Sequence, residues 1–186
     1  QSTLQKAETK GIKVAYADTD SCFLVLEDNL LDKAMEFMNE INFDLPGHME
    51  LEYEGFFPRG IFVAVKGSDK GAKKKYALMR DDDSIKITGF ETVRRNWSLL
   101  AKEVQEDVLR LVLQDKGEEA VQYVKDIIVK LKNGTISPEK LILKTQITRE
   151  LSQYTSFGPH VIIAKKLQDR GEKIVPGTVV EYIIVQ

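Results

Sequence analysis

A single cysteine, Cys22, rules out an internal disulfide, and with only His48 and His160 beside it a zinc site of the Cys/His type cannot be assembled. So sparing a use of thiols fits a reducing, cytoplasmic compartment. Long apolar stretches are missing as well: no run exceeds five residues, as in Cys22 to Leu26 and Ile61 to Val65, whereas a spanning helix needs about 20. The expectation is a soluble protein. Nothing at the start has the basic, apolar and small-residue segments of a signal peptide, and Gln1 in place of methionine fits a piece trimmed from something longer. An excess of one charge is lacking too, because 27 Lys+Arg against 29 Asp+Glu leave a formal net charge of −2, which argues for no particular partner. What is present is 42% hydrophobic residues, with 8% aromatics, over 186 positions. That is enough apolar material for one domain or two small ones and excludes disorder as the main state.

The bulk neutrality hides a segregation. From Glu27 to Glu54 nine acids face one base, Lys33, while from Arg59 to Arg80 seven bases face one acid, Asp69. Leu30, Leu31, Ala34, Phe37, Met38 and Ile41 recur at three- and four-residue spacing behind the candidate N-caps Asp28 and Asn29, which predicts a helix that Leu45-Pro46-Gly47 ends. Before it, Ile12, Val14 and Tyr16 alternate with Lys13, Ala15 and Ala17, and the apolar run Cys22 to Leu26 follows. Two strands joined at Asp18-Thr19-Asp20-Ser21 predict a hairpin. Alternation resumes at Met49, Leu51 and Tyr53, with further strands expected at Ile61 to Val65, Lys75 to Met79 and Ile85 to Thr88 around the loop Gly67 to Gly71 and the turn Asp81-Asp82-Asp83. From Asn96 the period becomes helical, with Trp97, Leu100, Val104, Val108, Leu111 and Val112 on one helix. After Gly117 come Ala120, Val121, Val124, Ile127, Ile128 and Leu131 on a second. Trp97 is expected to anchor the first of these helices in the core. A strand at Leu141 to Leu143, a helix after Gly158-Pro159 and a strand at Val179 to Val185 complete the reading, an α+β chain whose character changes near Arg95.

Asp18 and Asp20, two residues apart at a hairpin tip, can present two carboxylates to one point, an arrangement suited to magnesium, which takes oxygen ligands and keeps several waters. By itself such a pair is more often a solvated turn. Lys73, Lys74, Lys75 and Tyr76 offer ammonium groups and a phenol to phosphates or groove edges, or form an exposed loop. Arg94 and Arg95 suit a bidentate clamp on phosphate or carboxylate, or a salt bridge with nearby acids.

Read together, these segments acquire an order. Tyr16-Ala17-Asp18-Thr19-Asp20-Ser21, Leu51-Glu52-Tyr53-Glu54-Gly55-Phe56, Lys73-Lys74-Lys75-Tyr76-Ala77 and Gly89-Phe90-Glu91-Thr92-Val93-Arg94-Arg95 resemble consecutive landmarks of the family B DNA polymerases, most closely the archaeal ones. The similarity continues through Gln146 to Leu151, Gly158-Pro159-His160-Val161 and Pro176 to Val179, nearly the whole chain.

The resemblance implies an antiparallel palm sheet with an aspartate hairpin in residues 1–95, the C-terminal part of a polymerase palm, and a mainly helical thumb in residues 96–186. It implies a reaction in which a primer 3′ hydroxyl attacks the α-phosphate of a deoxynucleoside triphosphate, with two magnesium ions roughly 4 Å apart at the attacking and leaving oxygens. By match to the motif, Asp20 would be the shared metal ligand and Asp18 a weaker one, both catalytic. Glu52 and Glu54 would lie near the metals, and Thr19 would face the nucleotide. Lys73, Lys74, Lys75, Tyr76, Arg94 and Arg95 would contact primer-template DNA, Lys74 and Tyr76 through features common to every sequence. Arg149, Tyr154, His160 and Lys165 would meet its backbone in the thumb. A sliding clamp is a further partner the family admits, and the nucleoid the place such an enzyme works.

Departures qualify the match. Ala17 stands where Gly is frequent, Asn96 replaces a common Asp, and Gly67 to Ala72 looks like an insertion ahead of the lysine motif. The Asp-x-x-Ser-Leu-Tyr-Pro stretch carrying the other metal carboxylate, the Lys-x-x-x-Asn-Ser-x-Tyr-Gly helix that grips the triphosphate and the exonuclease Asp-x-Glu are not found, and the thumb stops short of the family's usual end. The expectation is therefore the small C-terminal subunit of a split polymerase, or a fragment of an uninterrupted one, inactive until a larger chain supplies the missing motifs. A non-catalytic DNA-binding or structural subunit of such a chain is the alternative. Abundant Glu and Lys suit a thermophile.

Overall fold

The computed structural model describes residues 2–19, 21–27, 31–64 and 71–185. They form a mixed helical and antiparallel-sheet chain in two compact units, Gln1–Lys86 and Ile87–Gln186. Among these residues no helix is long and apolar enough to cross a membrane.

The first unit opens with a helix that the sequence pattern does not predict, α1 (Ser2–Thr9), too short to show a full apolar stripe. The expected hairpin comes next: β1 (Val14–Ala17) pairs antiparallel with β2 (Cys22–Leu24), setting Tyr16 opposite Phe23, and an irregularity lies between Val14 and Tyr16. The expected helix is α2 (Leu31–Asp44), with Phe37 and Ile41 buried against Ala7 of α1 and Ile12, Val14, Leu24, Leu45 and Leu51 packed around them. Its candidate caps Asp28 and Asn29 lie outside the described residues. Gly47 ends it at φ 68°, a conformation that costs glycine little.

The strand expected at Met49 to Tyr53 is not formed. Leu51 N–H donates to Asn42 Oδ1 (2.7 Å) and the Asn42 amide donates to Leu51 C=O (2.9 Å), so one side chain satisfies the backbone groups that a neighbouring strand would have paired. Beyond it β3 (Arg59–Ala64), β4 (Gly71–Met79) and β5 (Ile85–Thr88) form a sheet in that order. β4 begins at Gly71, four residues ahead of the expected start at Lys75. Phe62 faces Tyr76, and regular pairing would put Ala64 opposite Lys74; it faces Gly71 instead, so the lysine segment bulges out of the ladder.

In the second unit Glu91–Val93 make a 3-10 turn that leans on the next helix, because Gln105 accepts from Thr92 N–H (3.0 Å) and donates to Glu91 (2.9 Å). These bonds explain why residues 87–95 group with the helical hairpin on their C-terminal side, although the sequence changes character at Arg95. That expected hairpin is α3 (Leu99–Leu113), capped by Ser98 Oγ accepting from Ala101 N–H, and α4 (Gly117–Lys132). Trp97 lies before α3 and is 40% exposed, which corrects its assignment as a core anchor: the helix starts only after Ser98, so Trp97 has no helical face to share. Leu109, Leu113 and Ala120 are buried, whereas Val112, Val121, Ile128 and Leu131 stay exposed. A 3-10 turn at Pro138–Leu141 takes the place of the strand expected from Leu141. β6 (Leu143–Gln146) then pairs antiparallel with β7 (Val179–Tyr182), and α5 (Pro159–Asp169) starts where Gly158-Pro159 predicts. Ile147, Leu151, Val161, Ala164, Ile174 and Val180 form this region's core.

α3 and α4 are clipped by Tyr123 Oη donating to Asp107 (2.7 Å), and partial burial, that bond and the charges of Asp107 and Glu103 push the phenol up to about 12. A raised tyrosine stabilises the fold below its unfolded value of about 10 and loses that contribution as pH rises through the folded value. Ultraviolet titration is expected to show one tyrosine ionising near pH 12. Tyr123→Phe should remove that transition and cost about 1 kcal/mol in thermal melts at neutral pH.

Candidate functional site

The hairpin tip is closed by Asp18 N–H donating to Ser21 C=O at 2.8 Å. Asp18 Oδ1 accepts from Thr19 N–H at 2.8 Å and from Thr19 Oγ1 at 3.3 Å, while Oδ2 faces Tyr16 Oη at 3.4 Å and Lys74 Nζ at 3.6 Å. The Thr19 amide is the main reason the carboxyl sits below its ordinary range; partial desolvation opposes it and the Lys74 charge assists. Asp20, the expected shared ligand, lies outside the described residues.

Tyr16 ties this tip to the basic strand. Its hydroxyl accepts from Lys74 N–H at 2.6 Å and faces the Asp18 carboxylate on its other side. Lys74 has φ 54°, unusual for a residue with a side chain, and its N–H goes to a phenol instead of to a strand neighbour. The bulge and the bond are two views of one feature, and with them the Lys74 ammonium faces the Asp18 carboxylate. Beneath it Tyr16, Phe23, Phe62 and Tyr76 pack ring on ring, every pair of centroids 5.1 to 6.1 Å apart. Tyr76 is only 7% exposed, so its ring belongs to this cluster, while Lys74 is exposed and Lys75 half-buried. Lys73 falls within β4.

Glu52 and Glu54 are exposed on the irregular segment before β3, and Glu54 pairs with Lys86. With Glu50 they line a cleft of about 880 Å³ whose walls include Ser21, Cys22 and Phe23 of the hairpin. Burial pushes the Cys22 thiol up. Among the described residues no group of three His, Cys, Asp or Glu converges as a metal cage.

The second unit gathers other candidates. Arg94 and Arg95 are exposed after the 3-10 turn. The Arg149 guanidinium lies 5.1 Å from the Tyr154 ring centroid, and His160 meets the same ring edge-on at 6.0 Å. Tyr154 Oη is held by Thr148, whose Oγ1 lies 3.3 Å away and whose N–H donates to it at 3.0 Å, and these bonds bring the phenol below its ordinary range. Gly158 makes room, since a Cβ there would stand 3.0 Å from the His160 ring. Lys165 Nζ sits 3.9 Å from the Phe157 ring centroid. Tyr16, Thr148 and Phe157 are not among the residues that sequence reasoning singles out for these sites. Only for Tyr16 is a signal present, its place two residues before Asp18 on the same face of a strand.

Residues 1–186 match the family model of DNA polymerase family B. The chain is 46% identical to the DNA polymerases of Desulfurococcus sp. (strain Tok) and of Thermococcus gorgonarius, with all of this chain and 24% of each relative aligned. The solved family B DNA polymerase of the hyperthermophilic archaeon Pyrobaculum calidifontis is 32% identical, with a TM-score of 0.71 over the whole of this chain and 23% of that one. The chain thus spans about a quarter of the length of these relatives.

A carboxyl held below its ordinary value of 3.8 contributes stability above the unfolded value and loses it as pH falls through the folded one. In a carbon-detected NMR titration Asp18 should ionise below that value. Lys74→Ala should raise the midpoint only part of the way back, because the Thr19 amide is the larger cause. A midpoint at or above the ordinary value contradicts the geometry of the tip.

Proposed function

This chain belongs to DNA polymerase family B, and on that footing we propose that it is the palm-to-thumb portion of a DNA-directed DNA polymerase, which extends a primer 3′ end with deoxynucleoside triphosphates. Residues up to about Arg95 serve as the C-terminal part of the palm and residues 96–186 as the thumb. The remaining motifs come from the rest of the enzyme, carried on a larger partner chain if the polymerase is split. The observation that carries this reading is the Tyr16 hydroxyl between the Asp18 carboxylate and the Lys74 backbone, because it makes the acidic tip and the basic strand one continuous surface.

The donor chemistry at the tip fits magnesium in kind. Asp18 is an oxygen donor whose carboxyl sits below its ordinary range. Asp20 would be the shared ligand and Asp18 the weaker one. When bound there, magnesium would supply charge neutralisation at the triphosphate and polarise the attacking and leaving oxygens. Asp18, already engaged by Thr19 and Lys74, acts mainly to orient the tip and to hold the Lys74 ammonium toward the primer-template. Thr19 faces the nucleotide. Lys73 and Lys75 add positive charge along the DNA track, Tyr76 supports Lys74 from the ring cluster, and Arg94 and Arg95 suit phosphate contacts. Glu52 lines the cleft that also takes in Ser21, and Glu54 lines it too and pairs with Lys86; both would lie near the metals.

In the assembled polymerase, Asp20→Ala is expected to lower primer extension by on the order of a thousandfold while leaving DNA affinity unchanged. Lys74→Ala should weaken primer-template binding and reduce its salt slope by about one. Unchanged incorporation by Asp20→Ala at unchanged DNA affinity would leave a binding role and no catalytic one. An unchanged salt slope for Lys74→Ala would leave a structural role alone.

A further inference from the structure

Several cations among the described residues are held in one of two ways. Lys6, Lys10, Lys86, Arg110, Lys140 and Lys144 each pair with a carboxylate, as does Lys74 at a looser 3.6 Å from Asp18. Arg149 and Lys165 have no carboxylate partner among the described residues and rest instead on aromatic faces, Arg149 on Tyr154 and Lys165 on Phe157. The difference matters for a ligand. A carboxylate neutralises an ammonium and competes with an incoming anion, whereas a ring face steadies the cation, leaves its charge intact and lets its outer N–H groups donate. A lysine side chain also loses much rotamer freedom when it grips a phosphate, and prior seating on a ring lowers that cost.

Phe157 is 54% exposed, immediately before the Gly158 cap of α5, with no place in the region's core. What the ring meets is the Lys165 ammonium, 3.9 Å from its centroid. We infer that Phe157 is a positioning residue: it holds the Lys165 ammonium ready for a backbone phosphate of the DNA duplex. The inference rests on the proposed polymerase reading for the ligand, and on the ring-cation geometry for the role. Phe157 touches no phosphate itself and acts through Lys165.

The test is a double-mutant cycle on the full chain, with binding to a fluorescent primer-template duplex followed by anisotropy over a salt series. Lys165→Ala should weaken binding and lower the salt slope by about one, because a phosphate contact is lost. Phe157→Leu should weaken binding about two- to fivefold with the slope unchanged, since the contact is still made but no longer prepared. Phe157→Trp should restore binding, and Phe157→Leu should have no effect in the Lys165→Ala background. Because Phe157 is largely exposed, melting temperatures should stay level across the set. If the wild-type chain does not bind the duplex, or Lys165→Ala leaves affinity and slope unchanged, the DNA reading of this surface fails and the inference with it. If Lys165→Ala behaves as expected but Phe157→Leu changes nothing, or weakens binding equally without Lys165, the DNA reading stands and the positioning role is overturned; the last result would indicate a ring that stacks on a base.

Discussion

Four aromatic rings set the terms for the first unit. β1 and β2 are four and three residues long, and a two-stranded hairpin of that size is not stable alone in water. Tyr16 from β1 and Phe23 from β2 meet Phe62 from β3 and Tyr76 from β4, so each of the four strands contributes one ring to a single contact. Aromatic pairs of this geometry add roughly 1 kcal/mol each beyond the area they bury. The cluster thereby docks the hairpin on the larger sheet and brings Asp18 within reach of Lys74. Polar contacts then refine the approach: the Tyr16 hydroxyl takes the Lys74 N–H, and at the resulting bulge the Lys74 ammonium stands 3.6 Å from the Asp18 carboxylate.

The electrostatic design follows from segregation. A net charge of −2 comes from an acidic stretch and a basic stretch that are separate along the sequence, and three acids of the first, Glu40, Asp44 and Glu54, pair with Lys10, Lys6 and Lys86. At the hairpin a backbone amide and a lysine keep Asp18 ionised. In the second unit aromatic faces seat Arg149 and Lys165, where carboxylates would have neutralised them. Both arrangements preserve a local charge of definite sign, a requirement shared by metal ligation and by phosphate binding.

Gly158-Pro159 marks the start of α5, and periodicity makes the hairpin, α2 and the α3/α4 pair legible. It fails at Met49 to Tyr53, where the alternation is real but Asn42 takes both backbone groups of Leu51. It fails again at Trp97, since an apolar residue at helical spacing says nothing about where the helix begins. The ordered motifs by themselves point to family B polymerases, and the relatives agree on the family. Which groups touch is a different matter. The meeting of Tyr16 with Lys74 spans 58 positions, and the seat of Lys165 on Phe157 depends on how the chain enters α5; no spacing rule reports either.

The central claim is that the Tyr16 hydroxyl joins the acidic tip to the lysine strand. Amide hydrogen exchange at Lys74 in wild type and in Tyr16→Phe, which keeps the ring and deletes only the hydroxyl, tests it most directly. The account predicts that protection at Lys74 falls roughly two- to tenfold in the variant while amides in the rest of β4 keep theirs. Equal protection at Lys74 in the two proteins would contradict it.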